Sequence, residues 1–138
     1  MSPTPRILIT DRNPNVRELL RREFAKHGVR ADTARDGREV CARLCSPEPP
    51  HLLVLDPEIP HAGSMGEWAR RRGGAGPVAV VLNTFTPDAP GPLAGLAVAV
   101  VEKDPDTDLL WERVRAILAQ RGAGTGAGAE PKAQAAPG

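Results

Sequence analysis

The stretch Leu52-Leu53-Val54-Leu55-Asp56-Pro57-Glu58-Ile59-Pro60-His61-Ala62-Gly63 decides the fold. Four apolar residues without polar alternation, closed by a carboxylate and a proline-punctuated loop, read as a buried parallel strand that delivers Asp56 at its carboxyl end. Two other runs share this design. Ile7-Leu8-Ile9-Thr10 runs into Asp11, and Val98-Ala99-Val100-Val101-Glu102 runs into Lys103. Open α/β sheets bind ligands just beyond their strand carboxyl ends, so Asp11, Asp56 and Lys103 are the candidate site residues.

Working outward, the first strand covers about Arg6 to Thr10, and a helix follows it. Asn13 is its cap, Pro14 suits its first turn, Val16, Leu19, Leu20 and Phe24 recur at helical spacing, and Gly28 stops it. Val29 to Ala34 reads as a second strand, and Asp36-Gly37 as a turn into a helix carrying Val40, Cys41 and Leu44, ended by Pro47, Pro49 and Pro50. Beyond the quoted stretch come a short helix near Met65 to Arg72 and a fourth strand from Val78 to Leu82. Pro87, Pro90, Gly91, Pro92 and Gly95 then crowd the next connection. Proline inside a helix costs ~3 kcal/mol, so at most one helical turn fits there, near Leu93. The fifth strand spans Ala97 to Val101. A last helix starts with Asp106 or Thr107 as cap, turns Leu109, Leu110, Val114, Ile117 and Leu118 inward, and stops at Gly122.

Strands alternating with helices predict a doubly wound α/β domain with a five-stranded parallel sheet in the order 2-1-3-4-5 and a shortened or missing fourth helix. That order sets Asp11 beside Asp56 and brings Lys103 in from strand five. The 138 residues fit one domain over 6–121, after a leader at 1–5 and before a Gly/Ala/Pro stretch at 122–138 too poor in large apolar residues to fold.

A formal charge of +1, with acids and bases dispersed, gives no field to attract nucleic acid or an anionic membrane. No signal-like apolar core opens the chain, and no apolar run approaches the roughly 20 residues of a membrane span, so a cytoplasmic protein is expected. Cys41 and Cys45 sit one helical turn apart and read as free thiols; His27, His51 and His61 have no partner at zinc-ligand spacing. Trp68 and Trp111 read as helix-boundary packing. Asp11-Arg12-Asn13-Pro14 stands where a nucleotide-binding enzyme would carry a glycine-rich loop, and no nucleophile has a paired base, so no enzyme is expected.

From Arg6 to Ala119 these pieces resemble, in order and spacing, the receiver domain of two-component response regulators, a flavodoxin-like fold. The resemblance lies in Ile7-Leu8-Ile9-Thr10-Asp11, Asn13-Pro14-Asn15-Val16-Arg17, Ala34-Arg35-Asp36-Gly37, Leu53-Val54-Leu55-Asp56 with Pro60, and Val101-Glu102-Lys103. It implies that Asp56 accepts a phosphoryl group from a histidine kinase or phosphotransfer protein, and that Lys103 pairs with the phosphate. It further implies that Asp11, Asp56 and the backbone carbonyl of Glu58 hold Mg2+. Such a single-domain regulator would signal by binding an unknown target protein.

The chain also departs from the pattern. Arg12 stands where the family carries a second acid. At about 4 kcal/mol per charge pair at 4 Å and an effective dielectric constant of 20, its guanidinium weakens the metal site, so Mg2+ is doubtful. It would instead bind Asp56 or stabilise a phosphate, and the ion pair is the expectation. A gapless reading puts Leu82 in place of the small hydroxyl residue after strand four, with Asn83 and Thr84 next; Thr84 would serve only if the strand is longer. Val100 replaces the rotating aromatic of strand five, and Asp104-Pro105 follows Lys103. A phosphorylation-independent pseudo-receiver, binding its partner constitutively, is the alternative reading.

Overall fold

The computed structural model describes residues 4–72 and 76–121. The expected tail at 122–138 and the first three residues of the leader lie outside them. Five strands form one parallel sheet in the order β2-β1-β3-β4-β5: β1 (Arg6–Thr10), β2 (Arg30–Ala34), β3 (Leu52–Leu55), β4 (Ala79–Thr84) and β5 (Ala99–Glu102). Around it lie α1 (Pro14–Ala25), α2 (Gly37–Leu44), α3 (Gly63–Arg72) and α4 (Asp108–Gln120). The order is the one the sequence predicts.

Because side chains alternate across a strand, the sheet has two apolar faces. Ile7, Ile9, Leu52, Val54, Ala79, Val81 and Ala99 meet Leu20 and Phe24 of α1 and Leu110, Trp111, Val114, Ile117 and Leu118 of α4. Leu8, Leu53, Leu55, Val80 and Leu82 meet Val40 and Leu44 of α2 and Met65 of α3 on the other side. At roughly 1.5–3 kcal/mol per fully buried large apolar side chain, these two layers dominate folding.

Helix ends follow local chemistry. The Asn13 side chain accepts from the Asn15 N–H at 2.9 Å, and Asp36 accepts from the Glu39 N–H at 2.9 Å. Asp36-Gly37 is therefore a helix cap and first residue. Gly37 is required by proximity: a Cβ there would lie 1.9 Å from the His61 carbonyl oxygen, and its N–H donates to the Pro60 carbonyl at 2.8 Å. At α4, Thr107 occupies the cap without a side-chain bond, and Asp106 accepts from the Asp108 N–H at 2.9 Å.

Three expectations are corrected. β4 runs on through Asn83 and Thr84, which pair with Val101 and Glu102; the apolar run ends at Leu82, but the backbone ladder does not. β5 starts at Ala99, because the connection before it forms a 3₁₀ turn over Pro92–Leu96 whose last bond runs from the Ala97 N–H to the Ala94 carbonyl. Leu109, expected inside, is 67% exposed at the start of α4, and Trp111 is buried instead, against Phe24 and stacked on His27.

Candidate functional site

Alternation places the site. Ile9, Val54, Val81 and Val101 belong to the α1/α4 face, so two residues further along each strand Asp11, Asp56, Asn83 and Lys103 fall on that same face at the carboxyl edge. Continuing the registers from Ile9↔Val54 and from Asn83↔Val101 sets Asp11 beside Asp56 and residue 85 beside Lys103. Asp11 is 2% and Asp56 1% exposed. The Lys103 Nζ donates to both, at 2.8 Å to Asp11 Oδ2 and 2.9 Å to Asp56 Oδ2.

Backbone groups complete the cradle. Asp56 Oδ1 accepts from the Glu58 N–H at 2.9 Å, and Oδ2 from the Arg12 N–H at 3.1 Å. Asp11 Oδ1 accepts from the Asn13 N–H at 2.8 Å, while Arg17 Nη1 donates to the Asp11 carbonyl at 2.8 Å. Thr10, whose role the apolar reading misses, ties β1 to β3: its hydroxyl donates to the Val54 carbonyl at 3.0 Å and accepts from the Asp56 N–H at 2.8 Å. Burial alone would raise the Asp56 pKa. The Lys103 hydrogen bond, the Glu58 and Arg12 N–H groups and the Lys103 charge together outweigh it and hold the carboxyl below its ordinary value.

Arg12 sits on the rim. Its Nη1 bonds Glu58 Oε1 at 2.8 Å, and its Nε lies 3.7 Å from Asp56 Oδ2. The expected ion pair with Asp56 is thus the looser of two, and Glu58 is the tighter partner. Mg2+ fits this donor set poorly. An ammonium already shares the two buried carboxylates, and a guanidinium spans Asp56 and Glu58. The Glu58 side chain serves Arg12, and its N–H serves Asp56.

Beyond strand four the parity decides between three candidates. Leu82 is fully buried in the α2/α3 core and takes no part in the site. Thr84 Oγ1 accepts from the Thr86 N–H at 3.1 Å. Asn83 lies on the site's own face, lines the same cavity as Asp11 and Lys103, and carries a buried Oδ1 without a donor among the described residues. Phe85, overlooked in the sequence, is 61% exposed with its ring centroid 5.0 Å from Lys103 Nζ and 5.9 Å from Arg12 Cζ. Its signal was positional: two residues past Asn83 on the same face. The cavity, about 840 Å³, reaches from these groups along Val16, Leu19, Leu20, Leu109 and Leu110. Val100 packs against the opposite core.

The remaining candidates lie away from this edge. Cys41 and Cys45 are free of disulfides, and Trp68 Nε1 donates to Cys45 Sγ at 3.3 Å. His51 Nδ1 accepts from the Arg6 N–H at 2.9 Å. No helix among the described residues is long and apolar enough to cross a membrane.

No family model matches the chain. Solved structures do. A response regulator receiver protein from Burkholderia phymatum is 32% identical, with 86% of this chain and 96% of that one covered at a TM-score of 0.64. The response regulator TrrA of Thermotoga maritima, solved in complex with Mg2+–BeF, is 29% identical over 83% of this chain and all of that one, with a TM-score of 0.70. TrrA has also been solved with the histidine kinase ThkA, at 30% identity, 83% and 99% coverage and a TM-score of 0.67. Among curated proteins, response regulator MprA of Mycolicibacterium vanbaalenii is 29% identical over 126 residues, or 89% of this chain. The chain spans 54% of that relative's length. It belongs to the receiver domains of the response regulators of two-component signalling.

Proposed function

We propose that this receiver accepts a phosphoryl group on Asp56 from a histidine kinase or phosphotransfer protein and passes the signal on by protein–protein contact, without being an enzyme in its own right. The carrying observation is Lys103 Nζ held between Asp11 and Asp56 at 2.8 and 2.9 Å. A carboxylate kept ionised at a strand end is a competent nucleophile, and an ammonium already on it can shift to the incoming oxygens. An Asp56 oxygen forms the new bond to phosphorus as the bond from phosphorus to the donor atom breaks, and the electron pair leaves with the donor. The donor's partner protein is supported by TrrA, which pairs with a kinase.

Intact mass after incubation with a small phosphodonor, in buffers with Mg2+ and with EDTA, tests this. One added phosphoryl group in at least one buffer, absent from Asp56→Asn, is expected; an unmodified wild type in both removes the proposal. The second reading, a constitutive pseudo-receiver, draws on the covering of Asp56 by Lys103 and Arg12. It takes over on that negative result.

A further inference from the structure

The groups facing Asp56 carry a charge balance unlike that of a divalent-ion site. Asp11, Asp56 and Glu58 bring three negative charges, and Lys103 and Arg12 bring two positive ones. A doubly charged ion added there would leave the cations in excess and stand against the guanidinium. Arg12 also stands beside the carboxylate such an ion would need. Its N–H is bonded to Asp56 Oδ2, its Nε lies 3.7 Å from the same oxygen, and Nη1 is on Glu58. The resemblance assigns the ion to Asp11, Asp56 and the Glu58 backbone carbonyl, so Arg12 competes with it at the Asp56 carboxylate.

We infer that the Asp56 site takes its phosphoryl group without a divalent cation, the guanidinium of Arg12 supplying the positive charge. This rests on the proposed function and specifies how the site performs it. The planar fork of a guanidinium matches phosphoryl oxygens and cannot be deprotonated near neutral pH. The Arg12 side chain is 43% exposed, so it has room to turn from Glu58 toward a group on Asp56. In the transfer, Asp56 bonds to phosphorus, the donor departs with its electron pair, and Arg12 and Lys103 each take a phosphoryl oxygen. Phe85 flanks both cations and narrows the directions they can leave by.

The test uses the whole chain with acetyl phosphate as donor, following labelling rate by intact mass in Mg2+ and in EDTA, beside calorimetric titration with Mg2+ and Mn2+. Equal rates in the two buffers and no saturable metal binding are expected. Arg12→Asp should gain metal binding and become metal-dependent; Arg12→Ala should slow labelling by about tenfold or more, with Arg12→Lys recovering part of it. Labelling of wild type in Mg2+ alone, or saturable Mg2+ binding to it, overturns the inference and leaves the phosphoacceptor reading intact. No label in either buffer ends both.

Discussion

Thr10 and the loops after β1 and β3 are held by closed hydrogen bonding, with Asp11, Asp56 and Glu58 all engaged and both aspartates almost fully buried. The β4–β5 side of the same edge is made differently. A 3₁₀ turn replaces a crossover helix, Phe85 stands exposed, and Asn83 keeps a buried oxygen without a donor among the described residues. One half closes a cradle around the Asp56 carboxylate, while the other, where Val100 and the proline-rich connection depart from the family pattern, is rebuilt. Lys103, carried by the β5 side, is the link between them.

The largest effect should come from cutting the link between the halves. Lys103→Met leaves two buried carboxylates facing each other, and breaking such a pair costs about 3–5 kcal/mol. Chemical denaturation at neutral pH measures it. Adding Asp11→Asn removes one of the stranded charges and should restore part of the loss; a double variant no better than the single would show that the carboxylates do not repel through this geometry. The same link sets acid behaviour. The folded Asp56 pKa lies below its ordinary 3.8, so its contribution is complete above that value and fades as pH falls through the folded value. In Lys103→Met that contribution should fade at higher pH than in wild type.

A smaller loss is expected at Gly37, on the well-ordered half. Its missing side chain lets α2 press on the carbonyl of His61, at 1.9 Å from where a Cβ would stand, and His61 itself has φ 59°. Gly37→Ala must push the β3–α3 loop away, costing about 2 kcal/mol or more. Because that loop carries Glu58, the hold on Arg12 should loosen as well. Full stability in a thermal melt would mean that the loop yields freely and the two halves are equally soft.

How much of this was legible follows the same division. Asp11, Asp56 and Lys103 each follow a largely apolar strand, so period and strand order suffice to bring them together. Asn83 and Thr84 are named by the sequence only as next in line after Leu82, because polarity marks the end of β4 there, although a ladder continues wherever backbone partners exist. Counting parity from Val81 would have separated Asn83, on the site face, from Leu82 and Thr84. Leu109 misled because its apolar side chain outweighed its spacing: three, four and seven residues on stand Glu112, Arg113 and Ala116, whereas Leu110, Val114, Ile117 and Leu118 share the inner face. Glu58 as the main partner of Arg12 depends on a side-chain path that no pattern encodes.

The smallest effect on stability belongs to the rebuilt half. Phe85 is mostly solvated, and an exposed cation–ring contact is worth about 0.5–1 kcal/mol, so Phe85→Ala should shift a denaturation midpoint only slightly. Its consequence should be access. The ring lies over the ammonium that bridges both acids, whereas Lys26, just after α1, is exposed and paired with Glu23. Acylation by a water-soluble amine reagent, mapped by peptide mass, should therefore speed up at Lys103 in Phe85→Ala while Lys26 keeps its rate and serves as internal reference. If Lys103 reacts no faster without the ring, its protection comes from Asp11 and Asp56 alone. The exposed aromatic would then have no part in closing the site, and the contrast between the two halves would reduce to the carboxylates.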